Sequence, residues 1–164
     1  MSGDFRPEEI LRILEDHGVR YVVIGGIAAT LHGSPHVTTD VDITPERGKK
    51  NLERLSAALT ELNARIRVEG EPGGFQLNHD ADSLSWIEVL NLITDWGALD
   101  ISFTPAGTKG YSDLRRDAVE IDVLGVHTTV ASLADVVRSK EAAGRPKDQL
   151  VLPTLRRLLE EPRP

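Results

Sequence analysis

Tyr21-Val22-Val23-Ile24-Gly25-Gly26-Ile27-Ala28-Ala29, followed after a short loop by Thr39-Asp40-Val41-Asp42-Ile43, is the stretch on which the reading turns. The almost wholly apolar run Tyr21 to Ile24 predicts a strand buried on both faces. It delivers the chain to Gly25-Gly26, where missing side chains allow close approach to the backbone. The short helix that begins there, with Ile27 to Leu31 and a stop at Gly33, turns its free N–H groups and positive dipole end outward, as an anion site would. In the second segment Val41 and Ile43 predict another buried strand, and residues i and i+2 of a strand share a face, so Asp40 and Asp42 stand side by side. Two like charges so close are unfavourable without a cation, and a hard, oxygen-seeking ion such as Mg²⁺ would relieve them. Asp100, between Leu99 and Ile101, is a third acid set into an apolar strand, and a neighbouring strand would bring it to the pair.

Outward from this stretch, Pro7 and the apolar spacing of Ile10, Leu11, Ile13 and Leu14 predict an amphipathic helix stopped by Gly18. Leu52, Leu55, Leu59 and Leu62 predict another over 51–62. Gly70, Pro72, Gly73 and Gly74 read as a loop. The runs Ile87 to Ile93 and Leu99 to Phe103, around Asp95-Trp96-Gly97-Ala98, read as a hairpin, as do Val119 to Leu124 and Val126 to Val130 around Gly125. Ser132 is an N-cap for a helix ending at Gly144, and a last helical stretch to Glu160 is interrupted by Pro153. Strands and helices interleave first and hairpins follow, which predicts an α/β (α+β) domain: a mixed sheet with helices packed on it and C-terminal helices. We expect one domain over 1–164, a core at about 18–131 and a helical part at about 132–164.

Composition bounds the chemistry. The 164 residues suit one globular domain with an aliphatic core, since aromatics make up only 4%. There is no cysteine, which excludes thiolate nucleophiles, disulfides and cysteine-held zinc. Nineteen Lys and Arg against 26 Asp and Glu leave a net charge of −7, so any nucleic-acid contact must use a local patch. Arg138, Lys140, Arg145, Lys147, Arg156 and Arg157 offer one, and Arg47, Lys49, Lys50 and Arg54 another. No apolar run is long enough for a bilayer, and Met1-Ser2-Gly3-Asp4 lacks a leader's basic start, so a cytoplasmic protein is expected. His32 and His36 flank the proposed site without a zinc-hydrolase spacing, and Ser34 has no triad partners. Lys140, Arg145 and Lys147 lie at a helix end, where they complement the dipole or reach a phosphate; Asp148 is placed to orient Arg145 or Lys147.

Gly25-Gly26, Asp40-Val41-Asp42-Ile43 and the later Asp100, in that order, resemble the active-site signature of the DNA polymerase β-like nucleotidyltransferases. The finer likeness is to bacterial AbiEii-type and MenT-type nucleotidyltransferase toxins. It rests on Ile24-Gly25-Gly26-Ile27-Ala28-Ala29 with Leu31-His32-Gly33, on Thr39-Asp40-Val41-Asp42-Ile43, and on Lys140-Glu141-Ala142-Ala143-Gly144-Arg145-Pro146-Lys147-Asp148. The resemblance implies transfer of a nucleoside monophosphate from an NTP to a hydroxyl, with release of pyrophosphate. It implies that Asp40, Asp42 and Asp100 hold two Mg²⁺ (or Mn²⁺) ions and that Asp100 also serves the attacking hydroxyl. Gly25, Gly26, Thr39, Lys140, Arg145 and Lys147 would bind the nucleotide. A toxin–antitoxin setting, the 3′ end of tRNA as acceptor and a cognate antitoxin protein would follow. A small-molecule acceptor, a protein hydroxyl and a non-catalytic binding or antitoxin module of the same fold are the alternatives. The sequence departs from the family in having His36 where Arg is frequent, and in being shorter than many of these toxins.

Overall fold

The structure, a computed structural model, describes residues 4–161. The expectation drawn from Met1-Ser2-Gly3 therefore lies outside the described residues, as do the last three residues of the C-terminal part. The elements are α1 (Pro7–Asp16), β1 (Tyr21–Ile24), α2 (Gly25–Leu31), β2 (Asp40–Pro45), α3 (Lys49–Glu61), β3 (Arg65–Val68), β4 (Glu71–Gln76), α4 (Ala81–Ser85), β5 (Val89–Thr94), β6 (Gly97–Ser102), α5 (Tyr111–Arg116), β7 (Val119–Val123), β8 (Val126–Val130), α6 (Leu133–Ala143) and α7 (Pro146–Glu160). The strands form one mixed sheet in the order β4-β3-β5-β6-β2-β1-β8-β7. β2 runs antiparallel to β1 and parallel to β6, while β1 and β8 are parallel, which is the mixed sheet the interleaved pattern predicts.

The core lies where the apolar residues of alternating strands meet two amphipathic helices. Val41 and Ile43 of β2, Leu99 and Ile101 of β6 and Leu92 of β5 are fully buried, together with Ile10, Leu11 and Leu14 of α1 and Leu52, Leu55 and Leu59 of α3. α1 packs on β2, β6 and β8 and against α3. Burying each such side chain contributes about 1.5–3 kcal/mol, so this face anchors the sheet. Because β2 alternates, burying Val41 and Ile43 turns Asp40 and Asp42 to the opposite face. Ser132 caps α6 by accepting from the Asp135 N–H, and Gly144 ends it in the left-handed conformation at φ 60°. α6 packs on α7 and α2, which brings the C-terminal helices beside the β1–α2 turn.

Two expectations are corrected, and two short helices are added. Gly70, Pro72, Gly73 and Gly74 are not simply a loop, because Pro72 to Gly74 lie within β4, an edge strand of the sheet. An edge strand tolerates a residue that cannot donate to the ladder, so the Pro and Gly content hid it. The short helices α4 and α5 were not anticipated, although Asp80 and Ser83 form a capping box at the start of α4. Pro153 does not interrupt the last helix, since α7 runs through it from Pro146 to Glu160. The proline removes one i to i−4 hydrogen bond, while Leu152 and Leu155 are buried on either side and hold the helix in place. Among the described residues no helix is long and apolar enough to cross a membrane.

Pro153 is exposed, so Pro153→Ala removes a helix-interior proline without opening a cavity. The helical penalty of about 3 kcal/mol exceeds the unfolded-state gain of up to about 1 kcal/mol that proline provides, so urea unfolding should show stabilisation of roughly 2 kcal/mol.

Candidate active site

Backbone register builds the site. Asp42 is in register with Ile24 of β1 on one side and with Asp100 of β6 on the other. Since β2 and β6 are parallel and in register, Asp100 projects on the same face as Asp40 and Asp42, the pairing on which the third acid's place depended. One carboxylate oxygen from each of the three lies within 4.8 Å of the others. Thr38, one residue before Thr39, donates its hydroxyl to Asp40 Oδ1 at 3.1 Å. Thr39 itself lines the cleft into which the carboxylates open, a space of about 680 Å³ that also takes in Gly25, Gly26, Lys140, Arg145 and Lys147.

The glycine pair has a physical role beyond admitting a ligand. Gly25 has φ +67°, and a Cβ placed there would overlap the Asp42 carboxylate. The bare backbone at Gly25 is thus what lets Asp42 lie against the start of α2. At Gly26 a Cβ would press on the Thr38 side chain, with 3.1 Å to its hydroxyl.

The electrostatics follow from crowding. Burial, reinforced by the charges of Asp40 and Asp100, pushes the Asp42 carboxyl up to about 7, against the pull of Lys147 and Lys140. Burial and a hydrogen bond with Asp40 raise Asp100 to about 6, with the Arg67 guanidinium working in the other direction. Three hard oxygen donors that are costly to ionise together fit a Mg²⁺ or Mn²⁺ ion, whose charge would favour the ionised forms.

The C-terminal cations are held by a carboxylate the sequence reading placed near them. Asp148 is completely buried; it accepts from the Arg145 backbone N–H at 3.2 Å and from Arg145 Nε at 2.7 Å, and Lys140 Nζ lies 3.5 Å away. Burial opposes its charge, but the Arg145 hydrogen bond and the charges of Arg145 and Lys140 hold its pKa below the ordinary value. Its partners are therefore Arg145 and Lys140, while Lys147 acts on Asp42 through space. Sequence reasoning missed Arg67, whose Nη2 lies 2.8 Å from Asp100 Oδ1. The spacing of Arg65 and Arg67 around Ile66 was the available signal for a strand, but nothing local ties β3 to β6. Some cations of the two expected basic patches are paired with acids: Arg138 with Asp113 and Asp135, Arg156 with Glu141, and Arg47 with Glu88.

No protein-family model matches the chain, and no curated protein sequence does. Solved structures do. TM1012 of Thermotoga maritima, a candidate nucleotidyltransferase, is 20% identical with a TM-score of 0.57 over 96% of both chains. The lincosamide antibiotic adenylyltransferase LnuA, solved with lincomycin, is 18% identical with a TM-score of 0.61 over 95% of this chain and 99% of its own. ANT(2'')-Ia, solved with adenylyl-2''-tobramycin, is 15% identical with a TM-score of 0.56 over 93% of this chain and 84% of its own. The chain has the nucleotidyltransferase fold. Its three carboxylates converge on one face of that fold.

Two outcomes are expected. Asp42 has a folded-state pKa above its unfolded value, so its contribution to stability is full below about pH 4 and is lost as pH rises through about 7. Thermal unfolding of the metal-free chain should therefore give a lower Tm at pH 8 than at pH 5, with Mg²⁺ restoring stability at pH 8 and Asp42→Asn flattening the pH dependence. Gly25→Ala must both adopt a strained φ and displace Asp42, so calorimetry should show it destabilised by more than about 1 kcal/mol, with weakened Mg²⁺ stabilisation.

Proposed function

We propose that the protein is a metal-dependent nucleotidyltransferase that moves a nucleoside monophosphate from an NTP to an acceptor hydroxyl and releases pyrophosphate. The observation that carries this reading is the convergence of Asp40, Asp42 and Asp100 within 4.8 Å on a cleft that also holds Lys140 and Lys147. Asp40 and Asp42 would hold two Mg²⁺ ions, with Asp100 completing one of the sites. Bound there, the metal supplies charge neutralisation for the triphosphate and the transition state.

The remaining work belongs to the chain. Gly25, Gly26 and Thr39 border the space for the β and γ phosphates. Lys140, fixed by Asp148, and Lys147 offset phosphate charge, with Arg145 completing that wall. The acceptor oxygen attacks the α-phosphorus, the bond to the β-phosphate oxygen breaks, and Asp100 takes the hydroxyl proton. The expected core at about 18–131 supplies the acids and the helical part at about 132–164 the cations, so the two work as one domain. An NTP-using enzyme of this kind fits a cytoplasmic setting.

The likeness of residues 24–33, 39–43 and 140–148 to nucleotidyltransferase toxins supports the 3′ end of tRNA as acceptor and a cognate antitoxin as partner. The pairing of Arg47, Arg138 and Arg156 with acids and the net charge of −7 favour a small-molecule acceptor, since phosphate-backbone binding depends on available cations. LnuA and ANT(2'')-Ia, which adenylylate antibiotics or are solved with an adenylylated one, share that acceptor class.

Incubation with each α-³²P-labelled NTP and Mg²⁺, with total RNA in one arm and the small-molecule fraction of a lysate in another, tests both levels. Label should move to one fraction with release of pyrophosphate, and Asp40→Ala and Asp42→Ala should abolish it while remaining folded. Transfer retained by either mutant would overturn the assignment, and label on the RNA 3′ end would decide for the toxin-like acceptor.

A further inference from the structure

Arg67 has no part in the nucleotidyl-transfer reading, yet the sheet goes to some length to place it. It stands on β3, and β5 separates β3 from β6. Its side chain therefore crosses a whole strand to reach Asp100, a span of roughly 9–10 Å at the usual strand spacing. It arrives with both arms engaged: Nη2 donates to Asp100 Oδ1 at 2.8 Å and Nη1 to the Leu92 carbonyl at 3.2 Å. β3 pairs with β5 at Arg65 and Ile66, so Arg67 follows the paired stretch and its side chain reaches back to the Leu92 carbonyl. Leu92 adjoins Asn91, which is in register with Asp100. The guanidinium thus ties the carboxylate to the backbone of the strand beside it.

A planar fork engaged at both ends fixes a direction as well as a charge. The pair is partly shielded, with side-chain exposures of 38% for Arg67 and 17% for Asp100. The three carboxylates converge within 4.8 Å in the same arrangement in which this pair is made, so the pair is compatible with a gathered cluster. Oδ1 accepts from Arg67 while the carboxylate keeps one oxygen within 4.8 Å of those of Asp40 and Asp42.

We propose that Arg67 is the positioning residue of the acidic cluster: by holding Asp100 Oδ1 against the β5 backbone it sets the rotamer in which the third carboxylate meets a divalent cation and the attacking hydroxyl. The inference rests on the nucleotidyl-transfer reading and adds to it a residue that acts through Asp100.

Simple electrostatics and positioning give opposite signs here. Deleting a cation beside a metal ligand should tighten metal binding, whereas losing the ligand's support should weaken it. Mn²⁺ titration of the whole chain, followed by the electron paramagnetic resonance of the free ion, separates them. Losing an outer partner of a metal ligand typically costs about tenfold or more in affinity, which is the weakening expected for Arg67→Ala. Arg67→Lys, keeping charge but losing the fork, should fall between that and wild type. Mn²⁺ bound by Arg67→Ala as tightly as by wild type, or more tightly, overturns the proposal. Should Arg67→Ala fail to fold, Arg67→Lys must still bind Mn²⁺ more weakly, and equal affinity overturns it.

Asp42→Asn distinguishes the two levels of failure. If wild type takes up no Mn²⁺, or Asp42→Asn takes it up equally well, the carboxylate site itself falls, and this proposal with it. If Asp42→Asn loses the ion while Arg67→Ala does not weaken it, Arg67 alone is misassigned. In the transfer assay Arg67→Ala should lower kcat with the KM for NTP nearly unchanged, and adding it to Asp100→Asn should cost nothing further, because both act through one carboxylate. Additive losses would count against it.

Discussion

Three carboxylates are held closer than their charges favour, and much of the surrounding structure serves that constraint. The register of β1, β2 and β6 does the holding: Ile24, Asp42 and Asp100 sit opposite one another on three adjacent strands. A backbone ladder is stiff enough to impose this because its opposite face is buried in an aliphatic core. Val41, Ile43, Leu99 and Ile101 cannot leave that core without losing the burial that stabilises the sheet. The acids are thus fixed by residues that take no part in the chemistry, and the energetic conflict shows in the raised pKa values of Asp42 and Asp100.

The neighbours of the cluster moderate the repulsion without removing it. Gly25 leaves the volume that the Asp42 carboxylate occupies, and Thr38 donates to Asp40. Lys140 and Lys147 approach Asp42 from the C-terminal helices, and Arg67 approaches Asp100 from the far side of β5. Asp148, fully buried where α6 meets α7, keeps Lys140 and Arg145 in place. A cluster compensated in full would have no use for a divalent ion, whereas one ringed by cations at its margins keeps its centre negative. This distribution suits the metal-dependent transfer proposed above.

The same arrangement bears on what the acceptor can be. Part of the cationic surface that a nucleic-acid backbone would use is committed to acids on the protein itself, Arg138 to Asp113 and Asp135 being the clearest case. The sequence likeness to toxins and the charge distribution thus point to different acceptors, and the geometry of the acids serves either, since the chemistry at phosphorus is the same.

The sequence by itself determined the parts of the site that depend on local rules. Strand alternation put Asp40 and Asp42 on one face, the Gly25 turn joined a buried strand to a helix, and Ser132 and Gly144 bounded α6, because pleat, turn and cap geometry act within a few residues. Gly and Pro misled where their local preference was overridden, as in the edge strand β4 and at Pro153, where flanking buried leucines outweigh one lost hydrogen bond. Only the tertiary structure decided that β6 lies beside β2 in the register that brings Asp100 to the pair and that Arg67 reaches it from two strands away. These are contacts between segments distant in the chain, and their register is set by how the whole core packs, which no stretch of sequence carries alone.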